Sequence, residues 1–350
     1  MSITIGGYNL IKLIYDGATT RVYHAVRESE QNSVIIKTLK AEYPTIEQIT
    51  RLRHEYKILQ LLQIKGIIKP LALESYQNGL ALILSDFGGE PLKNFINAQK
   101  FELSQFLQIA IQLSSTLAQI HKNNIIHKDI KPQNILINTK TGQVEIIDFS
   151  ISSRLSSENQ TVNTPNLLEG TLAYMSPEQT GRMNRSIDYR TDFYSLGVTF
   201  YEMLTGQLPF QATDPLELVH CHIAKTPASP KEINPEIPQA VSDIVMKLLA
   251  KTAEERYQSA LGLKADLEEC LTRLQATGKI EDFIVGQLDL YSQFIIPQKL
   301  YGREKEVASL MDAFERVANP LYPPLARGDI GGRDNVSKWL LRYWQIFLSE

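Results

Sequence analysis

Asp129, Lys131 and Asn134 lie a few positions apart in Ile125-Ile126-His127-Lys128-Asp129-Ile130-Lys131-Pro132-Gln133-Asn134, and each offers a separate piece of chemistry. The Asp129 carboxylate can take a proton from a hydroxyl, the Lys131 ammonium can neutralise phosphate oxygens, and the Asn134 carbonyl oxygen can hold a divalent ion. Pro132 stiffens the backbone between them. The competing reading of this loop by itself is a solvated turn behind an apolar helix. A second acid, Asp148, ends the strand-like run Gln143-Val144-Glu145-Ile146-Ile147. A hairpin through Asn134-Ile135-Leu136-Ile137-Asn138, turning at Thr139 to Gly142, would carry Asp148 to the edge where the loop sits. Two metal-binding oxygens and one base would then meet.

Other elements must position these groups. Tyr8 to Ile14, Arg21 to Val26 and Ser33 to Leu39 alternate as strands do, and Asp16-Gly17 between the first two is a hairpin signal. Lys37 ends the third apolar run. An amine there needs a carboxylate to hold it, and the helical stretch Thr45 to Gln63 supplies Glu55 beside an apolar face of Leu52, Tyr56 and Leu59. Its neighbour His54 reads as a surface or packing histidine. Leu80 to Leu84 reads as a buried strand ended by Ser85-Asp86-Phe87-Gly88, and Leu103 to Lys122 as a long amphipathic helix that delivers the Asp129 loop. Leu216 to Lys225, Pro238 to Ala250 and Ala260 to Gln275 read as further helices.

Taken together these motifs resemble the protein kinases of the Hanks type, in their bacterial Ser/Thr branch, and the resemblance covers about Tyr8 to Gln275. It implies an α+β, bilobal protein-kinase fold: a small antiparallel β-sheet lobe with one helix at 8–84, a hinge at 85–88 and a larger, mostly helical lobe at 89–275. It implies that Asp129 orients and deprotonates a substrate hydroxyl, that Lys131 steadies the γ-phosphate of ATP, and that Asn134 and Asp148 hold Mg²⁺. Lys37 and Glu55 would position the α- and β-phosphates. Gly17 and Val22 would belong to the loop over the nucleotide, Leu84 to the back of the adenine pocket, and Asp86 and Phe87 to the hinge that bonds adenine. Thr171 would support the substrate hydroxyl, Glu178 would pair with Arg256, and Asp192 would brace the catalytic loop; by itself Asp192 is equally a first-turn acid complementing a helix dipole.

Four positions depart from the family pattern. Tyr15 and Thr20 stand where two glycines of the phosphate loop are expected. Lys128 replaces an arginine, keeping the charge and losing the bidentate fork. Ser150 replaces the glycine after Asp148-Phe149, and on this reading it carries the cost of a left-handed backbone and biases the Asp148-Phe149 peptide. The segment from Ser150 to Glu169 is rich in hydroxyls, with Ser152, Ser153, Ser156, Ser157, Thr161 and Thr164 as phosphoacceptor candidates.

A formal net charge of -3 makes no electrostatic case for nucleic acid or an anionic membrane as partner. Cys221 and Cys270 lack metal-ligand spacing and suggest a reducing cytoplasm. No apolar run is long enough to span a bilayer. A linker is expected at 276–300, the start of a truncated ATPase-like module at 301–319, similar to the one that follows the kinase in some large sensory kinases, and a disordered tail at 320–350. The leading functional reading is a Ser/Thr protein kinase in bacterial signal transduction, acting on protein substrates and on itself. A nucleotide-binding pseudokinase serving as switch or scaffold, and an inert remnant of a larger protein, are the alternatives.

Overall fold

Ser33-Val34-Ile35-Ile36-Lys37-Thr38-Leu39 has the β-branched content of a buried strand, and it lies inside the sheet of the small lobe. The computed structural model describes residues 4–28, 32–98, 101–154, 172–183 and 185–289. Six strands, β1 (Thr4–Ile5), β2 (Tyr8–Asp16), β3 (Thr20–Arg27), β4 (Ser33–Leu39), β5 (Pro70–Tyr76) and β6 (Gly79–Ser85), form one antiparallel sheet in the order β1-β2-β3-β4-β6-β5. Between β4 and β5 comes α1 (Ile46–Leu61), started by a reciprocal cap in which Thr45 Oγ1 accepts from the Gln48 amide and Gln48 Oε1 accepts from the Thr45 amide. Its buried residues are Leu52, Glu55, Ile58 and Leu59, so one carboxylate enters the lobe interior with three apolar neighbours.

Register decides which residues face the site. Side chains directly opposite one another in an antiparallel pair share a face. Lys37 lies opposite Val22 on one side and Leu82 on the other, while Ile35 lies opposite His24 and Leu84. The other face carries Val34 and Ile36, which pack with Ile5, Tyr8, Ala25, Ala81 and Ile83 in a small core of their own.

The large lobe continues with β7 (Glu90–Pro91), α2 (Leu92–Ala98), α3 (Leu103–Lys122), β8 (Ile125–Ile126), β9 (Ile135–Asn138), β10 (Gln143–Ile146), β11 (Ser153–Arg154), α4 (Arg190–Thr205), α5 (Pro215–Ala224), α6 (Pro230–Ile233), α7 (Gln239–Leu248) and α8 (Ala260–Thr277). Phe106, Ile109, Ala110, Leu113, Leu117 and Ile120 make the buried stripe of α3, while α4 is buried on all sides from Thr191 to Met203. One hydrophobic cluster runs from Leu39 and Leu59 in the small lobe to Leu267 and Cys270 in α8. The short β7 pairs with β9, which pairs with β10, and β11 pairs with β8. This is the α+β, two-lobed architecture expected from the sequence. Both cysteines are free and buried, and no described helix is long and apolar enough to cross a membrane.

The stretch expected to begin a linker is described as far as 289. Gly278, at φ 72°, closes α8 in the left-handed conformation that glycine tolerates. The chain then returns to the other end of that helix, where Asp289 Oδ2 accepts from the Gln258 amide at 2.6 Å and Oδ1 from the Ser259 amide at 2.9 Å. The Gly286 amide donates to Asp266 Oδ2 at 2.6 Å. Gly262 makes this fit possible, because a Cβ there would lie 2.4 Å from Asp289 Oδ1. The expected ATPase-like start at 301–319 and tail at 320–350 lie outside the described residues.

Gly262→Ala is therefore expected to lower stability by about 1–3 kcal/mol by overpacking, read from denaturant melts. Asp289→Ala should cost less, and the double variant should lose little beyond Gly262→Ala alone, because the shared contact is already gone.

Candidate active site

The Lys37 ammonium is where the small lobe meets the large one. Its Nζ donates to Glu55 Oε2 at 2.8 Å and to Asp148 Oδ1 at 3.0 Å, joining β4, α1 and the end of the β9–β10 hairpin. Burial by itself would push the Lys37 amine down, but the nearby Asp148 and Glu55 carboxylates outweigh it and hold the amine charged, above its ordinary range. For Asp148 burial acts in the opposite sense and is likewise overcome, by Lys37 and by hydrogen bonds from Ser150 and Lys37, so its carboxyl titrates below the usual range. Glu55 is pushed up, by burial first and then by the Asp148 charge, against the pull of Lys37.

The Asp129 loop is assembled a short step away. Lys131 Nζ donates to Asp129 Oδ2 at 2.6 Å, and Asn134 Nδ2 donates to the same oxygen at 2.7 Å and to the Asp129 carbonyl at 2.9 Å. Asp129 Oδ1 is buried and has no hydrogen-bond partner among the described residues. A buried orphan acceptor is rare, and this one is an oxygen of the carboxylate expected to receive a proton. The Ile147 amide donates to the Asn134 carbonyl at 2.9 Å, which fixes Asp148 beside this loop.

Asp192, in the first turn of α4, braces the loop from beneath. Its carboxylate accepts from the His127 amide at 2.9 Å, the Lys128 amide at 2.8 Å and the His121 ring at 2.9 Å. Burial would raise its pKa, and the His121 hydrogen bond and charge dominate to lower it. The His127 ring bonds the Ile147 carbonyl through Nε2 at 3.1 Å, accepts from the Asp129 amide through Nδ1 at 3.2 Å, and meets the Phe149 ring edge-on at 4.6 Å. Those partners require the proton on Nε2.

The left-handed residues differ from the expectation. Ser150 is not among the residues of positive φ; Lys128 at φ 69° and Asp148 at φ 65° are. Each carries a cost of about 1–2 kcal/mol that its surroundings must offset, and the Asp192 bond to the Lys128 amide and the Lys37 bond to Asp148 do so. Ser150 instead donates its amide to Asp148 Oδ1 at 3.4 Å. Ser152 is buried, with Oγ donating to the Phe149 carbonyl at 2.7 Å, so its hydroxyl is not presented as a phosphoacceptor. Thr171, Ser156, Ser157, Thr161 and Thr164 lie outside the described residues.

The remaining expected residues lie in or next to the small-lobe sheet. Val22 shares the Lys37 face, and Leu84, next to the last residue of β6, lies opposite Ile35. Gly17 sits in the β2–β3 turn, its amide donating to the Thr20 carbonyl at 2.9 Å and its carbonyl accepting from Lys40 Nζ at 3.2 Å. The Asp86 side chain is engaged internally: Oδ2 accepts from Ser33 and meets His24 Nε2 at 3.2 Å, and Oδ1 accepts from the Gly88 amide at 2.8 Å. Phe87 offers its carbonyl to Asn138 Nδ2 at 3.2 Å. Asp86 thus shapes the hinge through its side chain. The sequence reading missed His24, Ser33, His121 and Gln179, whose Nε2 donates to the Lys128 carbonyl at 2.9 Å; no local motif marks them. His54, taken for a surface or packing residue, bonds the Ser152 carbonyl at 2.7 Å.

Behind the site Glu178 and Arg256 form a buried bidentate pair at 2.6 and 2.8 Å, with Thr191 Oγ1 donating to Glu178 Oε1 at 2.7 Å.

The protein kinase domain family matches residues 8–267. A probable serine/threonine-protein kinase of Clostridium perfringens is 34% identical over 266 residues, 75% of this chain and 38% of that protein. The serine/threonine-protein kinase PrkC of Bacillus subtilis is 31% identical over 265 residues, 75% of this chain and 40% of that protein. Hybrid signal transduction histidine kinase G of Dictyostelium discoideum is 32% identical over 311 residues, 63% of this chain and 9% of that protein. The chain therefore spans less than half the length of these relatives.

Glu178→Gln leaves a buried guanidinium without its counter-charge and should cost about 3–5 kcal/mol. Arg256 holds the Glu178 carboxyl below its ordinary value of 4.5 despite burial, so the carboxylate's stabilisation is present above that value and is lost as pH falls through the folded-state pKa. Acid melts of the wild type should show a loss below about pH 4.5 that is smaller in Glu178→Gln.

Proposed function

We propose that this chain, which belongs to the protein kinase family, transfers the γ-phosphoryl group of ATP to serine and threonine hydroxyls of proteins. The observation that carries the reading is the meeting of Lys37, Glu55 and Asp148 in one ion cluster, joined through the Ile147–Asn134 backbone bond to an Asp129 whose Oδ1 lacks a partner among the described residues. Asp129 Oδ1 is the acceptor for the substrate hydroxyl proton, and the two hydrogen bonds on Oδ2 fix its direction. Lys131 lies at that carboxylate, where its charge can steady the transferred phosphoryl group. Lys37, kept cationic by its two acids, is a phosphate ligand. The donor chemistry fits Mg²⁺: Asp148 and Asn134 both carry hard oxygen donors, as a small divalent cation requires, and the Ile147–Asn134 backbone bond joins their stretches of chain. When bound, Mg²⁺ would neutralise charge on the phosphates. Val22, Leu84 and the hinge at Asp86 and Phe87 supply an apolar slot and backbone groups for adenine, and Gly17 lies in the loop over the phosphates. Catalysis on this reading comes from positioning and preorganised charge.

The serine/threonine assignment draws on what the bacterial relatives are named for. A cytoplasmic setting is supported by the ATP requirement and by two free, buried cysteines. Self-phosphorylation would fall on hydroxyls of the segment after Ser152.

One observation favours the pseudokinase reading. The Tyr15 ring lies against Gly17, so close that a Cβ on Gly17 would be 2.5 Å from it, and such a side chain narrows the space for phosphates.

Transfer of labelled phosphate from Mg·ATP to a generic Ser/Thr protein, or to the chain itself, tests the proposal. Asp129→Asn should cut transfer by about 10²–10⁴-fold while nucleotide binding, followed by calorimetry, stays within about twofold. Undiminished transfer in that variant would show that Asp129 is not the proton acceptor, and nucleotide binding by the wild type with no transfer would favour the pseudokinase.

A further inference from the structure

Asp148 holds its backbone in the left-handed conformation, at φ 65°, with its carboxylate against Lys37. Contacts on both sides must enforce that. On the N-terminal side Ile147 is bonded at its amide by the Asn134 carbonyl and at its carbonyl by the His127 ring. On the C-terminal side residues 149–152 form a turn closed by the Ser152 amide and hydroxyl, which donate to the Phe149 carbonyl at 3.2 and 2.7 Å. The turn then runs into β11, which pairs with β8.

Two consecutive residues of α1 reach this part of the chain. Glu55 does so through Lys37, whose Nζ donates to it at 2.8 Å and to Asp148 Oδ1 at 3.0 Å. His54 Nε2 bonds the Ser152 carbonyl at 2.7 Å. Because a carbonyl oxygen only accepts, Nε2 carries the proton and the imidazole is the donor. The Glu55 contact also depends on Lys37 and Asp148; the His54 contact reaches the segment independently of the ion cluster.

We propose that His54 is a positioning residue that fastens α1 to the segment after Asp148 and thereby keeps Asp148 in the conformation that binds the metal. Movement of α1 away from the sheet would break the Glu55 and His54 bonds together and release Asp148 from its conformation. The catalytic consequence rests on the kinase reading, whereas the tether itself is a property of the folded chain.

The 350-residue chain is compared with His54→Phe, which keeps a ring and loses the donor, and His54→Gln, which returns an N–H close to the position of Nε2. Amide exchange measured by mass spectrometry in the absence of nucleotide should be about fivefold faster across 149–154 in the Phe variant, the effect of one hydrogen bond, and close to wild type in the Gln variant. The Mg²⁺ concentration that gives half-maximal phosphotransfer should rise about fivefold in His54→Phe, while the rate at saturating Mg·ATP changes less than about twofold. Unchanged exchange across 149–154 in His54→Phe, or a Gln variant as fast as the Phe variant with the wild-type melting temperature, would overturn the proposal. Should His54→Phe lose its cooperative melt, His54→Ala takes its place in the same comparison. A wild type that transfers no phosphate defeats the kinase reading and leaves the exchange measurement to decide the tether.

Discussion

The buried Lys37 ammonium is the interaction on which the rest depends. Taking an ammonium out of water is unfavourable by several kcal/mol unless acids face it at short range, and the two that do so come from separate parts of the chain: Glu55 from α1 and Asp148 from the end of the β9–β10 hairpin. Satisfying one charge thus fixes the relative position of strand, helix and hairpin. The cluster also has more acid than base, two carboxylates to one amine. A site so composed is complementary to a further cation, which suits the metal role proposed for Asp148, whose pKa is held low.

A second layer converts that constraint into a rigid loop. Asp192 lies in a helix buried on all sides and satisfies two consecutive backbone amides of the loop, His127 and Lys128. A carboxylate buried there is tolerated because its hydrogen-bond partners are all donors. Lys128 can therefore hold a left-handed backbone that a solvated lysine would leave, and the peptide that follows delivers Asp129. Arg256 plays the equivalent part for the chain that follows the hydroxyl-rich segment, holding Glu178 while donating to the Arg190, Ala250 and Lys251 carbonyls as well. These groups touch no reacting atom, yet they determine where the reacting groups point.

Much of the fold was legible in the sequence, because periodicity reports burial directly. The alternation in Tyr8 to Leu39 became β2, β3 and β4, and the stripe from Phe106 to Ile120 became the buried face of α3. The two-residue strands β1, β7, β8 and β11 and the single-turn α6 were not legible, since too few positions exist to show a period. Within the site, Lys37, Glu55, Asp129, Asn134 and Asp148 could be picked out because chemistry restricts which residue types serve. His54, His24, Ser33 and Gln179 could not. Their partners are backbone carbonyls or distant side chains, and nothing local distinguishes a histidine that reaches a carbonyl across the fold from one on a solvated face.

The strain falls elsewhere than at Ser150 for a physical reason. Glycine's absence at position 150 suggested that Ser150 would bear an unfavourable φ, but sequence shows only which residue types tolerate such a conformation. Where the backbone must turn is set by tertiary contacts. Lys37 pulls on Oδ1 of Asp148 while the Ile147 backbone is fixed from both sides by Asn134 and His127, so the chain has to reverse at Asp148 itself. Ser150 then follows without a positive φ and returns its amide to Asp148 Oδ1. A side chain at 150 is accommodated because the costly step has already been taken two residues earlier, by the residue whose carboxylate most needs to be aimed. The departure from the family pattern at Ser150 therefore leaves the metal role proposed for Asp148 intact, and the departure with a steric consequence is Tyr15, whose ring lies against Gly17 in the β2–β3 turn.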